Sequence, residues 1–542
     1  MAYYQEPFTP AETAVLSRFF TNTDRPVFAL VNLPEVVKGA LFARYSRSAK
    51  SLRRLFLDEF VEDPETGIGA LAGQIDGDDH LVNLRRAETL YQRVFFEYGD
   101  DSVAQLGGVH LACEQASNIL TKILEWGRLA AYLEQSTRYI AYDAPLGGSY
   151  RYMVPAEILG SPLEAPYREF CEFAFVSYAR LVAEMGSYYR DRFPRGEEPA
   201  PIWNATIRAK ACDTVRGVLP ASTLSNVGIY GTGQAYEMAL IRMQSHPLAE
   251  AREYSVMMLE ELRKVIPSFL TRVDRPDRGV SWSRYLESTR AALERLSPPS
   301  EPPAESADVT LTDWDPDGEV KVVAAALYAG SELSDDRIQE IAREMTPEAR
   351  AEVLAALVGE RSNRRHKPGR AMERTYYRFD VLCDFGAFRD LQRHRLMTIE
   401  WQRLGTRLGY DLPADLIEAG LDQTYLDVID RAADLHELAR AELGKDVAQY
   451  VVPFGYNIRF VIEMNARQAF HLLELRTQPA GHPAYRAVCA KMHRLIAEVA
   501  GHRSLAAAMS FVDYSSVDLE RLEGERRAAS RREASTVPPS GH

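Results

Sequence analysis

The segment RHRLMTIEWQRLGTR (Arg393 to Arg407) sets Arg393, His394 and Arg395 side by side at the end of an apolar-patterned run. Adjacent guanidinium and imidazole groups offer forked, charge-assisted hydrogen bonds, which suit a phosphate, a pyrophosphate or the edge of a ring. A second segment, EWGRLAAYLEQSTRY (Glu125 to Tyr139), has a similar outline. It lacks the Arg-His pair but carries Glu134, Ser136 and Arg138 at alternate positions. Plainer readings exist for both. Three cationic groups at a helix end complement its dipole, and Glu134 with Arg138 has the i,i+4 spacing of a helix-face ion pair.

The elements that must position these groups read as mainly helical. PYREFCEFAFVSYARLVAEM, HPLAEAREYSVMMLEELRKVIPSFL and QTYLDVIDRAADLHELARAEL repeat apolar residues at intervals of three and four. RYIAY (138–142) and TYYRFDVL (375–382) are strand candidates, the second ambiguous with helix. The expected class is therefore α+β with helix in excess. A long-period repeat accompanies these patterns. VRGVLPASTLSNVGIYGTGQAYEMALIRMQSHP (215–247) can be laid on AQYVVPFGYNIRFVIEMNARQAFHLLELRTQPAGHP (448–483), with Leu219-Pro220 on Val452-Pro453 and Ile229 on Ile462. Arg242 meets Arg476 after one small gap, and both segments close on His-Pro. Two diverged tandem copies of one domain are the simplest account.

A chain of 542 residues is too long for one ordinary core. The Pro-, Ser- and acid-rich stretch 296–319 reads as a linker between a first copy, 1–295, and a second, 320–520. The tail 521–542 reads as disordered for the same compositional reason. A net charge of -13 argues against wrapping nucleic acid. Five scattered cysteines without CxxC spacing fit a reduced cytoplasmic compartment, with neither a disulfide framework nor a metal site. No apolar run approaches the roughly 18 residues of a membrane span, and the opening MAYYQEPFTP is no signal peptide. The expectation is a cytoplasmic protein with small-molecule ligands, no nucleic acid and no membrane.

With these motifs in place, the chain resembles the flavin-dependent thymidylate synthases. Their signature runs Arg-His-Arg, a spacer, then Glu-x-Ser-x-Arg, and each copy here resembles one end of it. YGDDSVAQ (98–105) is similar to the family's Tyr-Gly-His-x-Ser/Thr segment with Asp100 for His, and MNARQAFHLLELR (464–476) to its Asn-Ala-Arg segment and later Leu-Arg. The resemblance implies the family fold, twice. It also implies reductive methylation of dUMP to dTMP, with methylenetetrahydrofolate giving the carbon and an FAD reduced by NADPH giving the hydride. Family members are homotetramers with sites between subunits, so a homodimer of this chain would make a four-domain pseudo-tetramer.

Carried over by position, the flavin set lies in the second copy: Arg393, His394, Arg395, Asn465, Arg467, His471 and Glu373, the last in the unusual wording KPGRAMER. Arg476 matches the late Arg at the uracil and is the expected catalytic residue. The nucleotide set lies in the first copy: Glu134, Ser136, Arg138, Arg216 and the late Arg242. The losses are complementary. Trp401, Arg403, Gly405 and Gln449 replace the nucleotide set in the second copy. In the first, Trp126, Gly127, Thr232 and Gln234 replace the flavin set. One composite site would be whole and its reciprocal would lack both sets. Two alternatives stand beside this reading. One is an inert homologue that binds nucleotide or flavin. The other is a flavin-dependent one-carbon transfer to a different pyrimidine nucleotide, with Trp126 and Trp401 reshaping the pocket.

Overall fold

A computed structural model describes residues 6–24, scattered positions from 28 to 41, residues 50–61, Gln105, 107–138, 140–298, 307–516 and scattered positions from 518 to 526. Apart from Gln105, the YGDDSVAQ segment lies outside the described residues, as do 299–306 of the expected linker and 527–542 of the expected tail.

The class is α+β and helix-rich, and the helical periods hold. Within the helix Glu164–Arg192 the residues Tyr167, Phe170, Cys171, Ala174, Phe175, Tyr178 and Leu181 are buried, one face at three- and four-residue steps. The helices Ala249–Arg263 and Asp422–Leu443 fill the other two amphipathic segments. TYYRFDVL is strand from its second residue, in Tyr376–Asp384. The described residues of RYIAY are not: the edge strand stops at Glu134, Arg138 lies in a turn, Ile140 in a bend, and Ala141 and Tyr142 outside any strand.

Seven strands are described: β1 (Gly108–Ser117), β2 (Ala130–Glu134), β3 (Leu224–Thr232), β4 (Val309–Trp314), β5 (Tyr376–Asp384), β6 (Thr398–Trp401) and β7 (Asn457–Asn465). They form two sheets, ordered β1-β3-β2 and β4-β5-β7-β6. Removing β4 from the second leaves the order of the first. The registers match as well. Glu134 faces Val227 on β2 and β3, and Trp401 faces Phe460 on β6 and β7, so the two edge strands are equivalent residue for residue. Each sheet also feeds equivalent helices through equivalent caps. Ser117 and Asp384 cap Asn118–Leu124 and Phe385–Gln392, while Thr232 and Asn465 cap Gly233–Gln244 and Ala466–Arg476. Each cap oxygen accepts one of the backbone N–H groups that a helix start leaves unpaired.

The linker reading 296–319 needs correction. The helix Gly279–Leu296 runs into it, and its last part is β4, which pairs antiparallel with β5. Val309 and Leu311 are buried at alternate positions, so a short two-residue period was present beneath a polar composition. The tail reading also fails at its first residue. Arg521 is only 4% exposed and hydrogen-bonded.

Compactness does not follow the two copies. One unit comprises Met1–Glu114, Gly127–Glu134 and Asn226–Pro298; the other comprises Gln115–Trp126, Gln135–Ser225 and Pro299–His542. Much of the first copy thus packs with the second inside the larger unit. There Pro220 and Pro453, equivalent residues, bridge antiparallel. Ala221 N donates to Val452 O (2.8 Å) and Phe454 N to Leu219 O (2.9 Å), each bond the mate of the other. This is an isologous contact of the kind that joins identical subunits, made within one chain.

Tyr425 plugs this junction. A Cβ at Gly217 or at Gly455 would lie 2.1 Å from its hydroxyl, which is tied to Asp411 O at 2.8 Å. Gly217→Ala is expected to lower stability by about 1–3 kcal/mol through overpacking. Tyr425→Phe in the same chain should recover part of it, read as a shift in denaturation midpoint.

Candidate functional site

Within the larger unit, three arginines from both copies lie within 4 Å of one carboxylate, and a fourth, Arg138, adds to its field. Asp390 sits on the helix Phe385–Gln392, whose end delivers Arg393 as C-cap. Arg216 Nη1, from the first copy, lies 3.4 Å from Asp390 Oδ2. From the second copy, Arg393 Nη1 and Arg476 Nη1 lie 3.7 and 3.8 Å from Asp390 Oδ1. Burial works against the charge on Asp390, but Arg393, Arg216, Arg476 and Arg138 together hold its carboxyl well below the usual carboxylate range. Two residues of the nucleotide set, one of the flavin set and the expected catalytic Arg476 therefore share one electrostatic centre. Neither Asp390 nor its role was visible as a motif, although it stands three residues before Arg393.

Arg216 is 3% exposed, yet its Nε and Nη2 atoms have no hydrogen-bond partner. Both face Gly386, where a Cβ would sit 3.1 Å from each. On the same side, burial pushes the Asp384 carboxyl up to about 6, opposed by Arg216 and aided by Asp411 and Asp390. Buried donors without partners are costly and uncommon in folded proteins. An anion is the natural complement of these two.

Arg476, at the end of its helix, donates from Nε to His394 Nε2 at 2.9 Å. His394 is buried, and burial followed by Arg476, His471 and Lys367 lowers its pKa well below 6.5. It is thus neutral and accepts at Nε2, while its Nδ1 lies 3.5 Å from the Gln468 amide nitrogen. His471 stands edge-on to His394 with ring centroids 5.2 Å apart.

The remaining flavin-set residues divide. Arg467 Nη1 pairs with Glu373 Oε1 at 3.3 Å, and Arg467 Nε donates to Pro368 O at 3.1 Å. Asn465 spends its side-chain oxygen on Gln468 N at 2.9 Å, as a helix cap. Arg395 is exposed. In the nucleotide set, Arg138 forks onto Asp213 (Nε–Oδ1 3.0 Å, Nη2–Oδ2 2.8 Å) and donates from Nη1 to the Tyr485 hydroxyl at 2.9 Å. Ser136 Oγ accepts from Arg138 N at 3.2 Å. Tyr485 lies against two guanidiniums, with Arg138 and Arg476 centred 5.6 and 5.3 Å from its ring. Glu134 and Arg242 fall in the smaller unit, where burial pulls Arg242 down to about 10.

At the positions where the second copy has lost the nucleotide set, Arg403 and Gln449 bond within their own copy. Arg403 forks onto Asp446, and Gln449 accepts from Leu404 N at 3.0 Å and donates to Asp446 O at 3.1 Å. Trp401 packs on Phe388, with ring centroids 5.5 Å apart, while Trp126 is 46% exposed. Among the described residues, no group of three or more His, Cys, Asp or Glu side chains could hold a metal, and no helix is long and apolar enough to cross a membrane.

The site's imidazoles set an acid limit. Burial, then Arg216, pulls His482 down to about 3, and burial with Lys367 pulls His471 to about 4. Both folded values lie below the unfolded 6.5, so this contribution is intact above about 6.5 and drains as pH falls towards 4 and then 3. The loss is at most about 1.4 kcal/mol per pH unit for His482 and smaller for the partly exposed His471. The melting temperature should fall from pH 6.5 to 4. His482→Asn, which can still cap the helix Pro483–Glu498, should flatten that slope.

Comparison with known proteins agrees with this architecture. Residues 58–268 and 310–501 each match the family described as thymidylate synthase complementing protein. A UPF0159 protein of Chlamydia muridarum is 38% identical over 527 residues, covering 96% of this chain and 98% of the relative. A UPF0159 protein of Chlamydia pneumoniae is 38% identical over 535 residues with the same coverage. One from Thermoplasma acidophilum is 30% identical over 518 residues, covering 90% and 98%. With two family regions, two sheets of one order and register, and relatives alike over nearly their whole length, the chain belongs to the thymidylate synthase complementing family as a tandem duplication of its domain.

Proposed function

We propose that the chain carries out flavin-dependent reductive methylation of dUMP to dTMP, with methylenetetrahydrofolate as carbon donor and NADPH as reductant, in a site composed from both copies. One observation carries this reading: Arg216 of the first copy joins Arg393 and Arg476 of the second around Asp390. Three guanidiniums within 4 Å of one carboxylate leave that cluster net positive, and the unpartnered Nε and Nη2 of Arg216 suit a nucleotide phosphate. Arg476 is held by His394 and Asp390 and would steady negative charge developing on a uracil edge. Because His394 is neutral, it fixes Arg476 without competing for the anion.

The guanidiniums of Arg393, Arg395 and Arg467 suit the anionic groups of FAD, and the neutral imidazoles of His394 and His471, which stand edge to face, can add hydrogen bonds. Bound there, the flavin would supply the hydride transfer that no side chain provides. Two chains would assemble four family domains.

A second reading, ligand binding without turnover, draws on the prior commitments of Arg138 to Asp213 and of Asn465 to its helix cap. Tritium release from 5-tritiated dUMP separates the two. Release dependent on both NADPH and methylenetetrahydrofolate is expected from the flavin-loaded chain. A yellow protein that binds dUMP and releases nothing would leave the binding reading; release from another pyrimidine nucleotide alone would reassign the substrate.

A further inference from the structure

Asp213 receives two guanidiniums. Arg138 forks onto it, and Arg521 Nη2 reaches both its oxygens, at 3.2 and 3.0 Å, while Arg521 Nη1 donates to the carbonyl of Arg138 at 3.0 Å. Arg521 lies beyond residue 501, where the second family region ends, and so belongs to neither copy. It lands on the carboxylate of the copy that keeps the nucleotide motif. The equivalent carboxylate of the second copy, Asp446, takes the fork of Arg403 from its own copy.

As it stands, Arg138 has little to offer a ligand. Its Nε and Nη2 donate to Asp213, Nη2 also approaches Ala480 O at 3.4 Å, and Nη1 serves Tyr485. To present its fork to a phosphate it must turn away from Asp213. Asp213 is largely buried, and a buried carboxylate stripped of its cation is strongly disfavoured. Arg521 removes that obstacle, because it already spans both oxygens and would keep the carboxylate paired after Arg138 leaves.

Resting on the nucleotide reading above, we propose that Arg521 is a positioning residue: it is the standby partner of Asp213 that lets the Arg138 fork turn to the phosphate of a bound nucleotide. Without it, Arg138 stays detained. The C-terminal segment thereby becomes part of the site although it lies outside both family domains.

Calorimetric titration of the full-length, flavin-loaded chain tests this, with dUMP and inorganic phosphate as separate probes. Arg521→Gln should weaken binding of each roughly tenfold or more, the scale of a charged hydrogen-bond fork withheld. Flavin content and melting temperature should stay near wild type. Adding Asp213→Asn to Arg521→Gln should restore most of the affinity, because an uncharged partner no longer detains Arg138. Arg521→Lys should remain close to wild type. The proposal is overturned if Arg521→Gln binds both probes like wild type, or if the double variant stays as weak as the single one. A wild-type chain that takes phosphate but refuses dUMP would sink the nucleotide reading alone, and the phosphate series would still judge Arg521. If wild type takes neither probe, both fall.

Discussion

Asp390→Ala is expected to destabilise the chain by about 3–5 kcal/mol, the usual cost of removing one partner from a buried charge cluster. Arg216, Arg393 and Arg476 lie within 3.4–3.8 Å of this carboxylate, and Arg138 adds to its field. Without it the buried guanidiniums repel one another across a medium that screens poorly. Calorimetric melting at low salt would read the loss, and the neutral Asp390→Asn should lie between Ala and wild type. Added phosphate should raise the melting temperature of Asp390→Ala more than that of wild type, since the anion can replace the missing charge. Equal melting of mutant and wild type would mean the arginines do not depend on Asp390. The pH sign is definite. The folded pKa of Asp390 lies below the ordinary carboxylate value, so its contribution is full above that value and is lost only as pH falls towards the folded one. Between pH 5 and 8 the difference between mutant and wild type should therefore be nearly flat.

Arg216→Gln should have the opposite profile, costing little stability but most of the nucleotide affinity. Asp390 would keep Arg393, Arg476 and Arg138, so the carboxylate would not be stranded. The substitution also removes two buried donors, Nε and Nη2, that have no partner in the protein. For a bound phosphate, loss of that buried fork is worth about 2–5 kcal/mol, or roughly 30-fold and upward in Kd. Titration of the flavin-loaded variant with dUMP would show it, while the flavin spectrum should be unchanged. His394→Ala should invert the pattern, since it opens the flavin-side cluster of His394 and His471. If Arg216→Gln binds dUMP like wild type, Arg216 is not the anion contact and the composite site is misassigned.

Of these two residues, Asp390 carries no motif, whereas Arg216 does. Arg216, Arg393, His394 and Arg476 were legible because motif spacing survives as local sequence, and the structure gathers them within one unit. The copies were legible for a related reason. Helix period, cap residue and strand alternation are short-range properties, so duplicated segments keep them even after their ligand residues diverge. Asn465 marks the boundary of that reasoning. Thr232 stands at its place in the first copy, and both residues cap a helix, so a polar residue there is explained by the backbone before any cofactor is invoked.

The sequence by itself determined the family resemblance, the two copies, the helix-rich class and the complementary loss of two residue sets. Only the tertiary structure decided where those sets meet and which of their donors are still to be satisfied. It brought Asp390 under Arg216, set Tyr485 against Arg138 across 347 residues of chain, and placed Arg521 on Asp213. It also turned the end of a linker-like stretch into β4. For the side chains the physical reason is the same. A side chain's protonation, and whether its hydrogen bonds are already taken, depend on neighbours through space, and at this site Arg216, Tyr485 and Arg521 reach their partners from the other copy or from beyond both.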